Sequence, residues 1–172
     1  KSEFLLAKTE IVAEEIQAEE DNFVAALEWG EQNGADIAVS SLGYSDWYEY
    51  EDMDGNTAVT TIAVDIAASL GVLCVTSAGN MGNDPWNYIM APADADSVIS
   101  VGAVNLNGDI SYFSSNGPTF DGRIKPEVCA LGVSTFCVRS NTVSDYRTAS
   151  GTSLSSPLVG GAAAVILSAN LN

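Results

Sequence analysis

Apolar positions along the chain fall into alternating short runs and helical spacings. Phe4-Leu5-Leu6-Ala7, inside Glu3 to Glu10, is a compact apolar run and predicts a short strand. An acidic connection follows, with Glu14, Glu15, Glu19, Glu20 and Asp21. From Asp21 the apolar residues Phe23, Val24, Leu27 and Trp29 recur at helical spacing, with Asp21 or Asn22 as N-cap and Gly34 as stop. Asp36 to Ser41 is apolar at nearly every position, as a strand covered on both faces would be. Thr57 to Leu70 predicts a second helix, with Val59, Ile62, Ala63, Ile66 and Ala67 on its core side and Gly71 ending it. Val72 to Thr76 and Val98 to Val104 are further buried strands, and Glu127 to Ala130 a shorter one. Asn107-Gly108 signals a turn, so Gly102–Val104 and Ile110–Phe113 are expected to flank a hairpin. Leu158 to Leu167, rich in Ala and without charge, reads as a buried helix.

Strand, helix, strand, helix, strand implies right-handed crossovers and a parallel sheet, hence an α/β class. Ligands of such sheets gather at the carboxyl ends of strands. Ser41-Leu42-Gly43 and Ser77-Ala78-Gly79-Asn80 are two such ends. With 172 residues, no internal repeat and no linker, one domain is expected over residues 1–172.

Composition narrows the function classes. At 47% hydrophobic residues the chain is globular rather than disordered. Six basic against 23 acidic residues, a net charge of −17, repel nucleic acid. No run is long and charge-free enough to predict a membrane span, the 158–167 stretch being too short. No basic-then-apolar leader follows Lys1, which reads as a processed or truncated start. Cys74 lies in a buried strand, and Cys129 and Cys137 are near enough in sequence for a disulfide that the spacing leaves open. Nothing in the cysteine spacing resembles a zinc site. Tyr44 to Asn56 holds Asp52, Asp54 and Asn56 at alternating positions, either a solvated turn or a calcium position, although no EF-hand register fits.

The candidate chemistry centres on Ser150-Gly151-Thr152-Ser153-Leu154-Ser155-Ser156-Pro157, where a loop enters the last helix. A serine there lies near unpaired N–H groups and the positive end of the helix dipole, which suits a nucleophile whose intermediate carries an oxyanion. Alone, Thr152 or Ser153 reads equally as an N-cap, and Asn80 as a turn residue.

Gly151-Thr152-Ser153-x-x-Ser156-Pro157, taken in order with Ser40-Ser41-Leu42-Gly43 and Val75-Thr76-Ser77-Ala78-Gly79-Asn80, resembles the subtilisin-like serine proteases. Ala91-Pro92-Ala93, Val98–Val104, Phe113-Ser114-Ser115-x-Gly117-Pro118 and Ile124–Val128 extend the resemblance. It implies a three-layer fold around a mostly parallel sheet, present here in part, with N- and C-terminal portions absent. It implies Ser153 as acyl-forming nucleophile and Asn80 as oxyanion donor beside the Ser153 backbone N–H. Ser41-Leu42-Gly43 and Ser77-Ala78-Gly79 would wall the pocket for the residue before the cleaved bond, and the substrate would be a peptide added as an extended strand. No cofactor is implied, and the setting would be extracellular or periplasmic. Leu158 departs from a histidine common in the family just after the serine motif, at a position outside the triad. The histidine base and its aspartate are expected upstream, and this chain contains no histidine. Three readings follow: the serine-bearing part of an endopeptidase that is inactive alone, a non-catalytic peptide-binding module, and a fragment that covers its open strand edges with itself or a partner.

Overall fold

The computed structural model describes residues 2–11 and 13–169. Ile37–Ser40 (β1), Leu73–Ser77 (β2), Val98–Val104 (β3) and Val128–Leu131 (β4) form a four-stranded sheet in the order β1-β2-β3-β4. All three pairings are parallel, with Ile37 opposite Leu73, Cys74 opposite Val98 and Val101 opposite Val128. Ala18–Gln32 (α1) and Val59–Ser69 (α2) lie on one face, and Thr152–Ala169 (α3) packs over all four strands. Side-chain alternation assigns the faces. Ala38 joins the cluster of Phe23, Val64, Ala67, Val72, Cys74 and Val98 under α1 and α2. Its neighbour Val39 turns the other way, onto Gly160 of α3, where an added Cβ would sit 2.5 Å from Val39 Cγ2.

The expected strand at Glu3–Glu10 is absent: residues 2–11 form no strand, and Phe4 and Leu6 are 82% and 86% exposed. A strand exists only with a hydrogen-bonded neighbour, and no described segment lies alongside to provide one. α1 starts at Ala18, ahead of the proposed caps. Asp21 therefore lies in the first turn with Glu19 and Glu20, where negative charge meets the positive helix end. Gly34 does close the helix region, at φ +79° with its N–H bonded to the Glu31 carbonyl.

α2 is rotated relative to the expectation. Val59, Ile62 and Ile66 are 47%, 42% and 56% exposed, while Thr60 and Thr61 are fully buried. Two buried carboxylates turn the polar side inward. Glu20 accepts from Trp47 Nε1 at 2.6 Å, from the Tyr48 hydroxyl at 2.9 Å and from Thr60 Oγ1 at 3.3 Å. Burial, followed by the hydrogen bond to Glu20, pushes the Tyr48 hydroxyl up to about 12. Asp94 accepts from Thr61 Oγ1 at 2.6 Å and from Gly55 N at 2.9 Å, and its carbonyl accepts from Arg123 Nη1. A buried carboxylate must have its lone pairs met, so hydroxyls outrank methyl groups on this face.

Burial pushes the Asp94 carboxyl above the ordinary value of 3.8, outweighing the lowering by its hydrogen bonds and by Arg123. Between the ordinary value and the raised one the folded state holds the proton more tightly, so stability falls as pH rises through that window. Asp94→Ala is expected to cost about 2–4 kcal/mol at neutral pH, because the Thr61 hydroxyl and the Gly55 N–H lose their acceptor in a buried site. Urea unfolding checks both points. The pH slope just above 3.8 should flatten in the variant, and an unchanged midpoint would remove Asp94 from this role.

α3 is longer and less buried than the apolar run suggests. It spans 18 residues, and by length and composition it could cross a membrane. Its buried residues are Thr152, Ser155, Ser156 and Gly160, a stripe of small side chains set against the sheet. Thr135–Val138 (β5) and Tyr146–Ala149 (β6) form an antiparallel hairpin that the hydrophobic pattern does not predict. Its Phe136 and Tyr146 rings stack at 5.1 Å. The hairpin expected around Asn107-Gly108 reduces to one bridge, Val104 with Ile110. There Asn105 Oδ1 accepts from Asn107 N and Asp109 N and closes the turn with its side chain. All three cysteines are free thiols, so the disulfide left open above is not formed.

Candidate active site

The carboxyl ends of β1 and β2 meet the amino end of α3. Ser41 follows β1, Ser77 ends β2, and Ser153 is the second residue of α3. Ser153 Oγ donates to the Ser41 carbonyl at 3.2 Å, and Ser41 Oγ donates to the Ser153 carbonyl at 2.9 Å. Ser156 Oγ lies 3.1 Å from Ser41 Oγ, one helical turn further on. These bonds fasten the helix start to the end of β1, so the position of Ser153 is set by two elements over a hundred residues apart.

Asn80 is oriented by the same helix end. Its Oδ1 accepts from Thr152 N at 2.8 Å and from Thr152 Oγ1 at 3.1 Å. A backbone N–H can only donate, so the atom facing Thr152 is the amide oxygen and Nδ2 points away from it. The Asn80 side chain thereby caps the start of α3 from outside the helix. Thr152 is fully buried, and its hydroxyl also accepts from Gly79 N at 3.3 Å. The result is a relay from the Gly79 N–H through the Thr152 hydroxyl to the Asn80 carbonyl oxygen. Asn80 is exposed, so its amide nitrogen faces solvent beside the helix end where Ser153 begins.

Two glycine-bearing walls flank this point. Ser77 Oγ donates to the Leu42 carbonyl at 3.2 Å and ties Ser41-Leu42-Gly43 to Ser77-Ala78-Gly79. Gly79 has φ +111°, and a Cβ there would come within 2.7 Å of Ser115 Oγ and 2.8 Å of Met90 Sδ. Only glycine fits that backbone and that space. Beyond Asn80 and Gly151, a cavity of about 620 Å³ opens between the 110–113 segment and Val133. The structure thus brings Ser153, Asn80 and both predicted walls together. The Thr152 relay and the Ser41–Ser156 contact were missed in the sequence. Their only signal was a run of small hydroxyl residues at a helix start, which capping explains equally well.

No described residue offers Ser153 a base. Its hydroxyl is bonded to a backbone carbonyl, and the sequence has no histidine. The carboxylates grouped elsewhere are engaged in holding the fold. In the Tyr44–Asn56 loop, Asp54 accepts from Asn56 N, Thr57 N and Thr57 Oγ1, and Asp52 accepts from Glu49 N. Glu10, Glu15 and Glu19 bring oxygens within 4.8 Å of one another, close enough for a cation. Glu19 spends its two oxygens on Ile11 N and Ile16 N.

The sequence profile of the Subtilase family matches residues 8–172. The chain belongs to the subtilase family. This subtilase chain is 43% identical over 147 residues to Subtilisin DY of Bacillus licheniformis, covering 84% of itself and 47% of that protein. It is 35% identical over 154 residues to Serine protease AprX of Bacillus subtilis (strain 168), covering 78% of itself and 34% of that protein. Among solved structures it resembles the self-cleaved protease domain of PatA, with TM-score 0.71 and 27% identity over 88% of this chain and 52% of that one. The Prenylagaramide maturation protease PagA gives TM-score 0.70 and 25% identity, over 88% and 50% of the two chains. The α/β fold with its parallel sheet is therefore subtilisin-like, and the chain spans half or less of the length of the curated relatives named here.

Proposed function

We propose that residues 1–172 are the serine-bearing part of a subtilisin-like endopeptidase catalytic domain, with Ser153 forming the acyl-enzyme. The observation that carries the reading is the fixed orientation of Asn80, whose oxygen is held by Thr152 so that its amide nitrogen is free to donate. The reacting peptide carbonyl would sit over the start of α3, and its developing oxyanion would receive the Asn80 Nδ2–H and the Ser153 N–H. Substrate would lie as an extended strand along Ser41-Leu42-Gly43, with Ser77-Ala78-Gly79 as the opposing wall. The Ser153 proton must pass to a base that this chain does not hold, so residues 1–172 alone are inactive. No cofactor takes part in this scheme. An extracellular or periplasmic setting goes with this reading and with a net charge of −17, as does a partner that is peptide rather than nucleic acid.

The test is fluorophosphonate labelling of the protein from its natural source, read by mass. An adduct on Ser153 is the expected result. An unlabelled protein would move a second reading to first place: a groove that holds extended peptides without cutting them. That second reading is favoured by one observation: among the described residues the only partner of the Ser153 hydroxyl proton is the Ser41 carbonyl, which is not a base.

Thr152 acts in this scheme as a positioning residue. Thr152→Val keeps shape and backbone but removes the hydroxyl that links Gly79 N to Asn80. Turnover is expected to fall about 3- to 10-fold, the worth of one neutral hydrogen bond, with KM unchanged. Thr152→Ser should restore it. A shift in KM alone, or no rescue by serine, would assign Thr152 to packing.

A further inference from the structure

We infer that the Met90 side chain fills the space between the two glycine-bearing walls, so that the residue before the cleaved bond is a small one such as glycine or alanine. This names the substrate class of the site proposed above and rests on that reading.

The segment that carries Met90 is laced to both walls. Met90 N donates to the Ala78 carbonyl at 3.1 Å, in the middle of Ser77-Ala78-Gly79. One residue on, Ala91 exchanges both backbone bonds with Tyr44, which follows Gly43. Tyr44 N donates to the Ala91 carbonyl at 2.8 Å, and Ala91 N to the Tyr44 carbonyl at 3.1 Å. The Met90 carbonyl accepts from Ala93 N at 2.7 Å. These bonds fix the Met90 backbone across the two walls and leave freedom only to its side chain. Its neighbours Ile89 and Ala91 are fully buried, whereas Met90 is half-buried and keeps a surface that a ligand can meet.

That side chain lies between the glycines. A Cβ added to Gly43 would come within 3.2 Å of Met90 Cβ, 3.4 Å of its Sδ and 3.5 Å of its Cε. A Cβ added to Gly79 would come within 2.8 Å of the same Sδ and 2.9 Å of Met90 Cγ. One thioether therefore lies against both walls, at the two positions that carry no side chain of their own. Two glycines facing one gap leave room for a ligand side chain, and here Met90 takes up that room. The walls are not free to spread. Ser77 Oγ holds the Leu42 carbonyl at 3.2 Å, and Gly79 N holds the Thr152 hydroxyl at 3.3 Å. An unbranched methionine can shift enough for a methyl group. A leucine or phenylalanine side chain would have to drive the thioether out, because a filled space resists added volume.

The test uses the active protein and three peptide p-nitroanilides that differ only in alanine, leucine or phenylalanine before the anilide. The alanine substrate should have the highest kcat/KM, by about tenfold or more, since one methylene in a pocket is worth about 10- to 200-fold. Met90→Ala removes Cγ, Sδ and Cε, and should raise kcat/KM for the leucine and phenylalanine substrates about tenfold or more. Met90→Leu, close in volume, should keep the parent order. A parent that cuts best after leucine or phenylalanine would overturn the proposal, and so would an order that Met90→Ala leaves unchanged. A second measurement needs no turnover: calorimetric binding of the three matching peptide acids to Ser153→Ala protein, with and without Met90→Ala. It should give the same preference and the same reversal. That binding order without a fluorophosphonate adduct on Ser153 of the parent keeps the filled pocket and removes the catalytic reading. An adduct on Ser153 with the three residues cut and bound equally does the opposite.

Discussion

Replacing Ser153 with alanine is expected to abolish peptide cleavage while leaving the protein folded. The side chain is half-buried and makes one hydrogen bond of its own, to the Ser41 carbonyl. Losing that partly exposed bond costs about 1 kcal/mol or less. The catalytic loss is of another order. Removing the nucleophile from a serine-protease unit lowers kcat by about 10⁶, a scale measured in subtilisin itself and carried over here rather than derived from this geometry. Neighbouring hydroxyls cannot substitute. Ser41 Oγ is committed to the Ser153 carbonyl, and Ser156 Oγ to Ser41. Ser155 is fully buried, with its hydroxyl on the Ala130 carbonyl. A chromogenic peptide assay of the active protein, with circular dichroism as a folding control, decides the matter. Residual turnover above about a hundredth of the parent would take the nucleophile role from Ser153.

What the sequence could and could not reveal follows from what each residue responds to. β3 was legible to the residue, because Val98–Val104 is an apolar run that no competing interaction disturbs. Gly71 was legible as a stop because the chain needs φ +102° there. The rotation of α2 was not, since periodicity ranks Ile62 and Ile66 above Thr60 and Thr61. The deciding partners, Glu20 and Asp94, lie 40 and 33 residues away. The strand expected at Glu3–Glu10 fails for a related reason: strand propensity describes the residue, while a strand requires a neighbour. At the site, the structure brings the positions the motifs named, Ser153, Asn80 and the two walls, to one place. They did not say which way the Asn80 amide faces. That orientation depends on Thr152 N and Oγ1, and only three-dimensional proximity joins residues 72 apart.

The Asn80 amide is where that orientation can be tested most sharply, with two substitutions that separate capping from catalysis. Asn80→Ala removes both the acceptor for Thr152 and the proposed donor to the oxyanion. Turnover is expected to fall about 10²- to 10³-fold, the range found for such a donor in subtilisin and taken from there, with KM little changed. Stability should fall by about 1 kcal/mol, because the first N–H groups of α3 lose a cap. Asn80→Asp keeps an oxygen facing Thr152 and so should keep the cap, with the added negative charge favourable at a helix start. It has no N–H to offer the oxyanion, and its own charge opposes the one that develops. Its turnover should therefore drop at least as far as that of Asn80→Ala, while its unfolding midpoint stays near the parent. If Asn80→Asp instead retained activity, the amide nitrogen would not be the donor, and Asn80 would serve only to hold the start of α3.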